Sequence, residues 1–167
     1  KAIREKNERY AFRVAAFMRG THSNNSSVAA LQAYDLRMMD YFKGVNDTLN
    51  YLIRALNYFD NYYMRISVDS IKKQDSLQMK RLFAKQDSIS TVAGQKKVQK
   101  SIKYSPIVYT YSRELNNAAY SFYEFTNETL NLSKALLWSA RANEFAENFE
   151  AMDTHAHLLY KLGKRKE

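Results

Sequence analysis

Apolar residues recur at helical spacing along almost all of this 167-residue chain. Residues 2–19 place Tyr10, Val14, Phe17 and Met18 on one helix face, with Gly20 as the expected stop. The polar loop THSNNSS (21–27) follows, and Ser26 or Ser27 is placed to cap the next helix. From Val28 the pattern strengthens. Met38, Phe42, Val45, Leu49, Leu52, Leu56, Phe59, Tyr63 and Ile66 step by threes and fours, which keeps one apolar stripe in register over many turns. Two readings fit it. Either one helix runs to about Ile66, or two helices break at Gly44 with Asn46 or Asp47 capping the second. The break is favoured, because glycine ends helices and Asn and Asp begin them.

Residues 69–91 predict a further, very polar helix with Ile71, Leu82, Phe83 and Ile89 as its apolar positions. A turn is expected at Ser90–Gly94 and a short helix over 95–103. Ser105-Pro106 is a helix start, since proline fits the first turn, where its missing N–H costs nothing. Val108, Tyr111, Leu115, Ala118, Phe122 and Phe125 then form a core face. TNET (126–129) or Ser133 marks a break, Ala135, Trp138, Ala142 and Phe145 make the next helix, and Met152, Ala156 and Leu159 the last, closed by Gly163. Roughly seven or eight helices result.

Composition agrees with this reading. Four Gly and one Pro are too few breakers for an all-β fold, so the chain reads as one all-α domain, 1–167. The hydrophobic fraction of 46% is ordinary for a globular chain. With no Cys there is no disulfide, thiolate metal site or thiol chemistry in these residues. The first residue is Lys, which predicts a processed or truncated N-terminus. The best apolar run near it, AFRVAAFM, is interrupted by Arg13 and far short of the ~20 residues a membrane span needs.

Charge changes the picture in one place. The net charge is +9, and 69–104 holds nine basic against three acidic residues, a net of +6. Lys72, Lys73, Lys80, Arg81, Lys96, Lys97 and Lys100 are the core of this basic patch. Such a patch can attract phosphate or anionic lipid. No aromatic platform accompanies the lysines, which counts against nucleic acid.

Catalytic and metal motifs are weak. His155 and His157 are two apart, so a helix points them to different sides, and His22 is distant in sequence. The acidic ladder Glu144, Glu147, Glu150, Asp153 lacks the Glu-x-x-His motif of di-iron bundles and reads as a solvated face. Four scattered glycines build no phosphate loop, and there is no Gly-x-Ser-x-Gly elbow. The expectation is no enzyme, no cofactor and no metal. Trp138 and most tyrosines read as core with polar tips at its edge.

The last third has the order of a tetratricopeptide-type helix pair, in which a small residue on one helix lets its partner approach. Leu115, Ala118, Ala119 and Phe122 fit the first helix; Ala135 and Ala142 fit the second. Met152, Ala156, Leu159 and Gly163 restart the first-helix pattern, which predicts a last repeat cut at Glu167 and a parent protein that continues. Residues 127–133 look longer than the usual tight turn, and the proline that usually ends a repeat is missing.

LNNAAYSFYEFT, AL-WS-RA and MDTHAHLLYKLGKRKE, together with NYFDNYYMRISVDSIKKQDS (57–76), resemble the helical region of thioredoxin-like proteins from Bacteroidetes. In that family a thioredoxin domain is attached to α-helical repeats. The resemblance is clearest over 110–167, weaker over 30–76, and silent on 1–29. It implies stacked antiparallel helix pairs, as an array or an irregular bundle, in a bacterial periplasm or envelope. The family's redox chemistry needs a Cys-x-x-Cys that this chain lacks, so any such site lies outside these residues.

The resemblance further implies a non-catalytic scaffold whose groove holds a protein or peptide, including the parent's own thioredoxin-like domain. Its groove positions fall on Arg113, Asn116, Tyr120, Tyr123, His157 and Tyr160. The Lys and Asn clamp that some arrays use for a terminal carboxylate is not reproduced. The alternatives are a structural spacer without a ligand and anionic-surface binding through 69–104. A truncated last repeat would also leave an apolar edge that invites homodimerisation.

Overall fold

The computed structural model describes residues 1–23, 26–92 and 104–164, with the side chains of 85–92 left out. Among these residues the chain is all-α, with seven α-helices and no strand: α1 (Glu8–His22), α2 (Ser27–Gly44), α3 (Thr48–Tyr58), α4 (Val68–Val92), α5 (Ile107–Phe125), α6 (Thr129–Phe145) and α7 (Phe149–Lys161). One π-helical turn, Phe59–Tyr63, extends α3. α4 runs on to Val92, through the first part of the turn expected at Ser90–Gly94; the rest of that turn and the helix expected over 95–103 lie outside the described residues.

Local chemistry sets the boundaries. Ser26 accepts the Ala29 amide at the start of α2. The stripe from Met38 to Ile66 does break after Gly44. Asn46 sits at φ 62, its amide bonds the Lys43 carbonyl, and the Asp47 amide reaches the Phe42 carbonyl at 2.9 Å. These bonds close a Schellman motif with Asn46 as the left-handed residue. Asp47 then caps α3 through the Asn50 amide at 3.1 Å. Gly163, at φ +77, ends α7 the same way: its amide bonds Tyr160, and that of Lys164 bonds Leu159.

Two expected faces are wrong. In α1 the buried residues are Ala11 and Ala15; Tyr10, Val14 and Phe17 are exposed, Phe17 at 70%. Gly20 lies inside the helix rather than ending it. The two alanines let α1 lie close along α2, the most extensive contact made by either helix. In α7 the buried residues are Ala151, Thr154 and Leu158, one or two positions before the expected Met152, Ala156 and Leu159. Met152 is 46% exposed.

α5 and α6 form the centre. Only Thr126–Glu128 separates them, so the connection is a tight turn and shorter than the sequence suggested. At their other ends Ser112 Oγ donates to the Ala146 carbonyl at 3.1 Å, so the two helices are antiparallel. Ala118, Ala119, Ala135 and Ala142 are all buried between large residues, among them Phe122, Trp138 and Phe145. α7 runs parallel to α5: Asn148, the N-cap of α7, donates to Ser112 near the start of α5, and Lys161 donates to the Tyr123 carbonyl near its end.

The π turn ties α3 to this pair. Phe59 packs on Trp138 with centroids 5.3 Å apart, and Tyr63 meets Tyr111 at 5.2 Å. Asp60 accepts the Trp138 indole N–H at 3.0 Å and Lys134 Nζ at 2.6 Å. α4 is tied by Asp75, which is 6% exposed. Its carboxylate accepts the amides of Ile107 and Val108, each at 2.9 Å, and the Tyr104 hydroxyl at 2.7 Å. α5 has no side-chain cap from its own N-cap residue, Pro106, so Asp75 supplies one from another helix.

Candidate functional site

Tyr109, Arg113, Asn116, Tyr120 and Tyr123 step along one side of α5, and α7 lies parallel beside them. At the far end of this surface three rings meet. Tyr120 and Tyr123 have centroids 5.9 Å apart, and Tyr123 and His157 are 5.5 Å apart. Lys161 Nζ lies 4.8 Å from the Tyr123 ring centroid. His157 Nδ1 is 3.0 Å from the Asp153 carbonyl oxygen and 3.3 Å from its carboxylate. Tyr160 is 65% exposed.

At the near end Arg113 is exposed and borders a cavity of about 480 Å³, with Tyr109, Phe149 and Glu150 among its walls. Phe149 is the most exposed aromatic ring among the described residues, at 91%. Of the six expected groove residues, Tyr120, Tyr123 and His157 come together, while Arg113 and Tyr160 lie on exposed parts of the same two helices. Asn116 is a correction. It is 6% exposed, and its buried Oδ1 has no hydrogen-bond partner among the described residues, so it faces the packing rather than a ligand. Lys161, Tyr109 and Phe149 were missed. Lys161 is four residues beyond His157 and Tyr109 four before Arg113, so helical spacing could have found both.

This surface offers ring faces, a cation and hydrogen-bonding edges, which suit binding. The nearest likeness to a catalytic pair is elsewhere. Ser139 Oγ is 2.8 Å from His155 Nδ1, but Ser139 is 0% exposed and its hydroxyl donates to the Leu136 carbonyl at 2.9 Å. The Leu136 carbonyl thus competes with the histidine for the single hydroxyl proton, and the buried pair bridges α6 and α7. Burial lowers the His155 pKa, which favours the neutral ring. Among the described residues no group of three His, Cys, Asp or Glu side chains is placed to hold a metal.

A second cleft, of about 940 Å³, lies between the starts of α4 and α5 and the end of α6. Arg141 lines it, held by the Ile66 carbonyl at 2.6 Å, by Glu144 and by the Phe145 ring, 5.5 Å away. Lys72, Asp69, Glu144 and Glu147 give this cleft mixed charge. Of the basic patch, Lys72, Lys73, Lys80 and Arg81 are exposed on α4; Lys96, Lys97 and Lys100 lie outside the described residues. Among the described residues no helix is long and apolar enough to cross a membrane.

No known protein family, curated protein or solved structure matches this chain.

Proposed function

We propose that this chain is a non-catalytic helical scaffold that binds an extended protein or peptide segment along the α5–α7 surface. The observation that carries the reading is the aromatic cluster of Tyr120, Tyr123 and His157, with Lys161 over the Tyr123 ring. Tyr rings present large, rigid contact area with a polar tip at low entropic cost, which suits a peptide's mix of apolar side chains and backbone amides. The antiparallel α5–α6 pair and the parallel α7 support a repeat-like arrangement, in which such a surface runs on from helix to helix. The resemblance to helical regions beside thioredoxin domains makes a thioredoxin-like domain of the same parent, in a bacterial envelope, the first partner to try. With no Cys in these residues, thiol–disulfide chemistry in such a complex would lie in that domain.

The test is selection of peptides from a random display library on the whole chain, followed by affinity measurement on two variants. Tyr120→Ala with Tyr123→Ala is expected to weaken the selected peptides about 10-fold or more, a loss typical of aromatic anchors. Helicity by circular dichroism should hardly change, because Tyr120 is 43% exposed and Tyr123 is only half-buried. Unchanged affinity in the double variant would remove the binding role from this surface.

A further inference from the structure

α4 carries a surface that the peptide-binding reading does not use. Its first turns dock on the body through Ile71 and Asp75. Beyond them, from Ser76 to Ala84, every residue is exposed except the half-buried Leu82. Four cations, Lys72, Lys73, Lys80 and Arg81, are exposed here. None of the four is ion-paired among the described residues. Asp75 is turned the other way, onto the α5 amides, which leaves Asp69 as the acid on the outer arc among the described side chains.

Two large apolar side chains stand among these cations. Leu77 is 56% exposed and Phe83 is 57% exposed. Helical spacing puts Leu77 between Lys73 and Arg81, each four residues away, and puts Phe83 beside Lys80. A shallow cleft of about 510 Å³ lies over Asp69, Lys72, Lys73, Ser76, Leu77 and Lys80, three cations against one carboxylate. A solvated helix face has no use for exposed Leu and Phe, and a core-facing stripe has no use for unpaired cations.

We infer that the Lys72–Phe83 face of α4 docks on an anionic lipid surface. The cations meet headgroup phosphates, while Leu77 and Phe83, about 120° apart around the helix with Lys73 and Lys80 between them, reach the headgroup–acyl boundary on either side of that basic strip. Charge complementarity identifies the occupant as anionic. The apolar pair then favours lipid over a nucleic acid, because a sugar-phosphate backbone would leave an aliphatic Leu77 in water, and base stacking calls for several rings where this face has one. The face spans about 16 Å of helix, enough to lie flat on a bilayer.

The test is flotation of the full chain with two vesicle types: phosphatidylcholine alone, and phosphatidylcholine with about one part in three of phosphatidylglycerol. Binding is expected to the mixed vesicles only, and to weaken steeply as salt rises. Changing Lys72, Lys73, Lys80 and Arg81 together to Gln should reduce binding more than about 100-fold. Leu77→Ser with Phe83→Ser should reduce it about 10-fold while leaving the salt dependence in place. All six positions are exposed, so circular dichroism should match the parent chain. No flotation with mixed vesicles in low salt overturns the inference, and so does a Gln variant that binds like the parent. Full binding by the Ser pair, with duplex DNA as an effective competitor, would overturn it in favour of a charge-only nucleic-acid surface.

Discussion

Trp138→Ala is expected to cost about 3–5 kcal/mol of unfolding free energy, the range for emptying a large aromatic site in a core. Trp138 is 0% exposed, and its ring packs on Phe122 at 4.8 Å and Phe59 at 5.3 Å. The substitution leaves a cavity where α6 meets both α5 and the π turn. It also removes the indole donor from Asp60, which among the described residues keeps Lys134 at 2.6 Å. That remaining pair is about one-third exposed at each end, so solvent screens it and little further cost comes from it. Trp138→Phe keeps most of the packing and should cost about 1–2 kcal/mol, chiefly the lost donor and part of the ring volume. Urea denaturation followed by circular dichroism measures both. A loss under about 1 kcal/mol for the alanine variant would mean that Trp138 does not join these elements as described.

The second large effect is expected at Asp75. Asp75→Ala leaves the Ile107 and Val108 amides and the Tyr104 hydroxyl without their acceptor, and α5 without its N-terminal charge. Hydrogen bonds to a charged group are the stronger kind, so the loss should be about 2–4 kcal/mol. Burial by itself would raise the Asp75 pKa. The two amides and the tyrosine hydroxyl outweigh it and hold the carboxyl below its usual value. The same bond pushes the Tyr104 hydroxyl up to about 12, behind the larger contribution from its own burial. The sign for stability follows from linkage. A carboxyl with a depressed folded pKa contributes fully above its unfolded pKa, near 4, and the contribution is lost as pH falls below that value through the folded pKa. The parent chain should therefore lose stability on acidification below about pH 4 more steeply than the Asp75→Asn variant. Parallel acid limbs for the two proteins would contradict the cap.

Much of this fold was legible because it is written in local chemistry. Pro106 marked the start of α5, and Asn46, Asp47 and Gly163 lie where left-handed and capping residues are needed. Ala135, Trp138, Ala142 and Phe145 repeat with a period that only a buried face explains, and all four are buried. The misreadings have physical causes too. In α1 the eye follows the large residues Tyr10, Val14 and Phe17, but close packing on α2 selects the small Ala11 and Ala15. In α7 the large Met152 and Leu159 suggest one face, but the face that packs on α5 and α6 is that of Ala151, Thr154 and Leu158.

Long-range polar contacts were not legible at all. Nothing local says that Asp75 caps a helix 32 residues away, or that Asp60 meets Trp138 across 78. The candidate surface was half legible. Of the expected positions, the rings of Tyr120, Tyr123 and His157 do come together, but Asn116 sits on the same stripe and is buried. Burial there depends on what packs against α5, which the spacing of α5 residues does not encode.

The most direct measurement of the central claim is amide chemical-shift mapping on the isotope-labelled 19.5 kDa chain, titrated with a library-selected peptide. Peptide binding along α5 and α7 predicts the largest shifts at Arg113, Tyr120, Tyr123, His157, Tyr160 and Lys161, with α4 quiet from Lys72 to Phe83. Shifts centred on α4, or on the cleft around Arg141, with the Tyr120–His157 cluster unmoved, would contradict it.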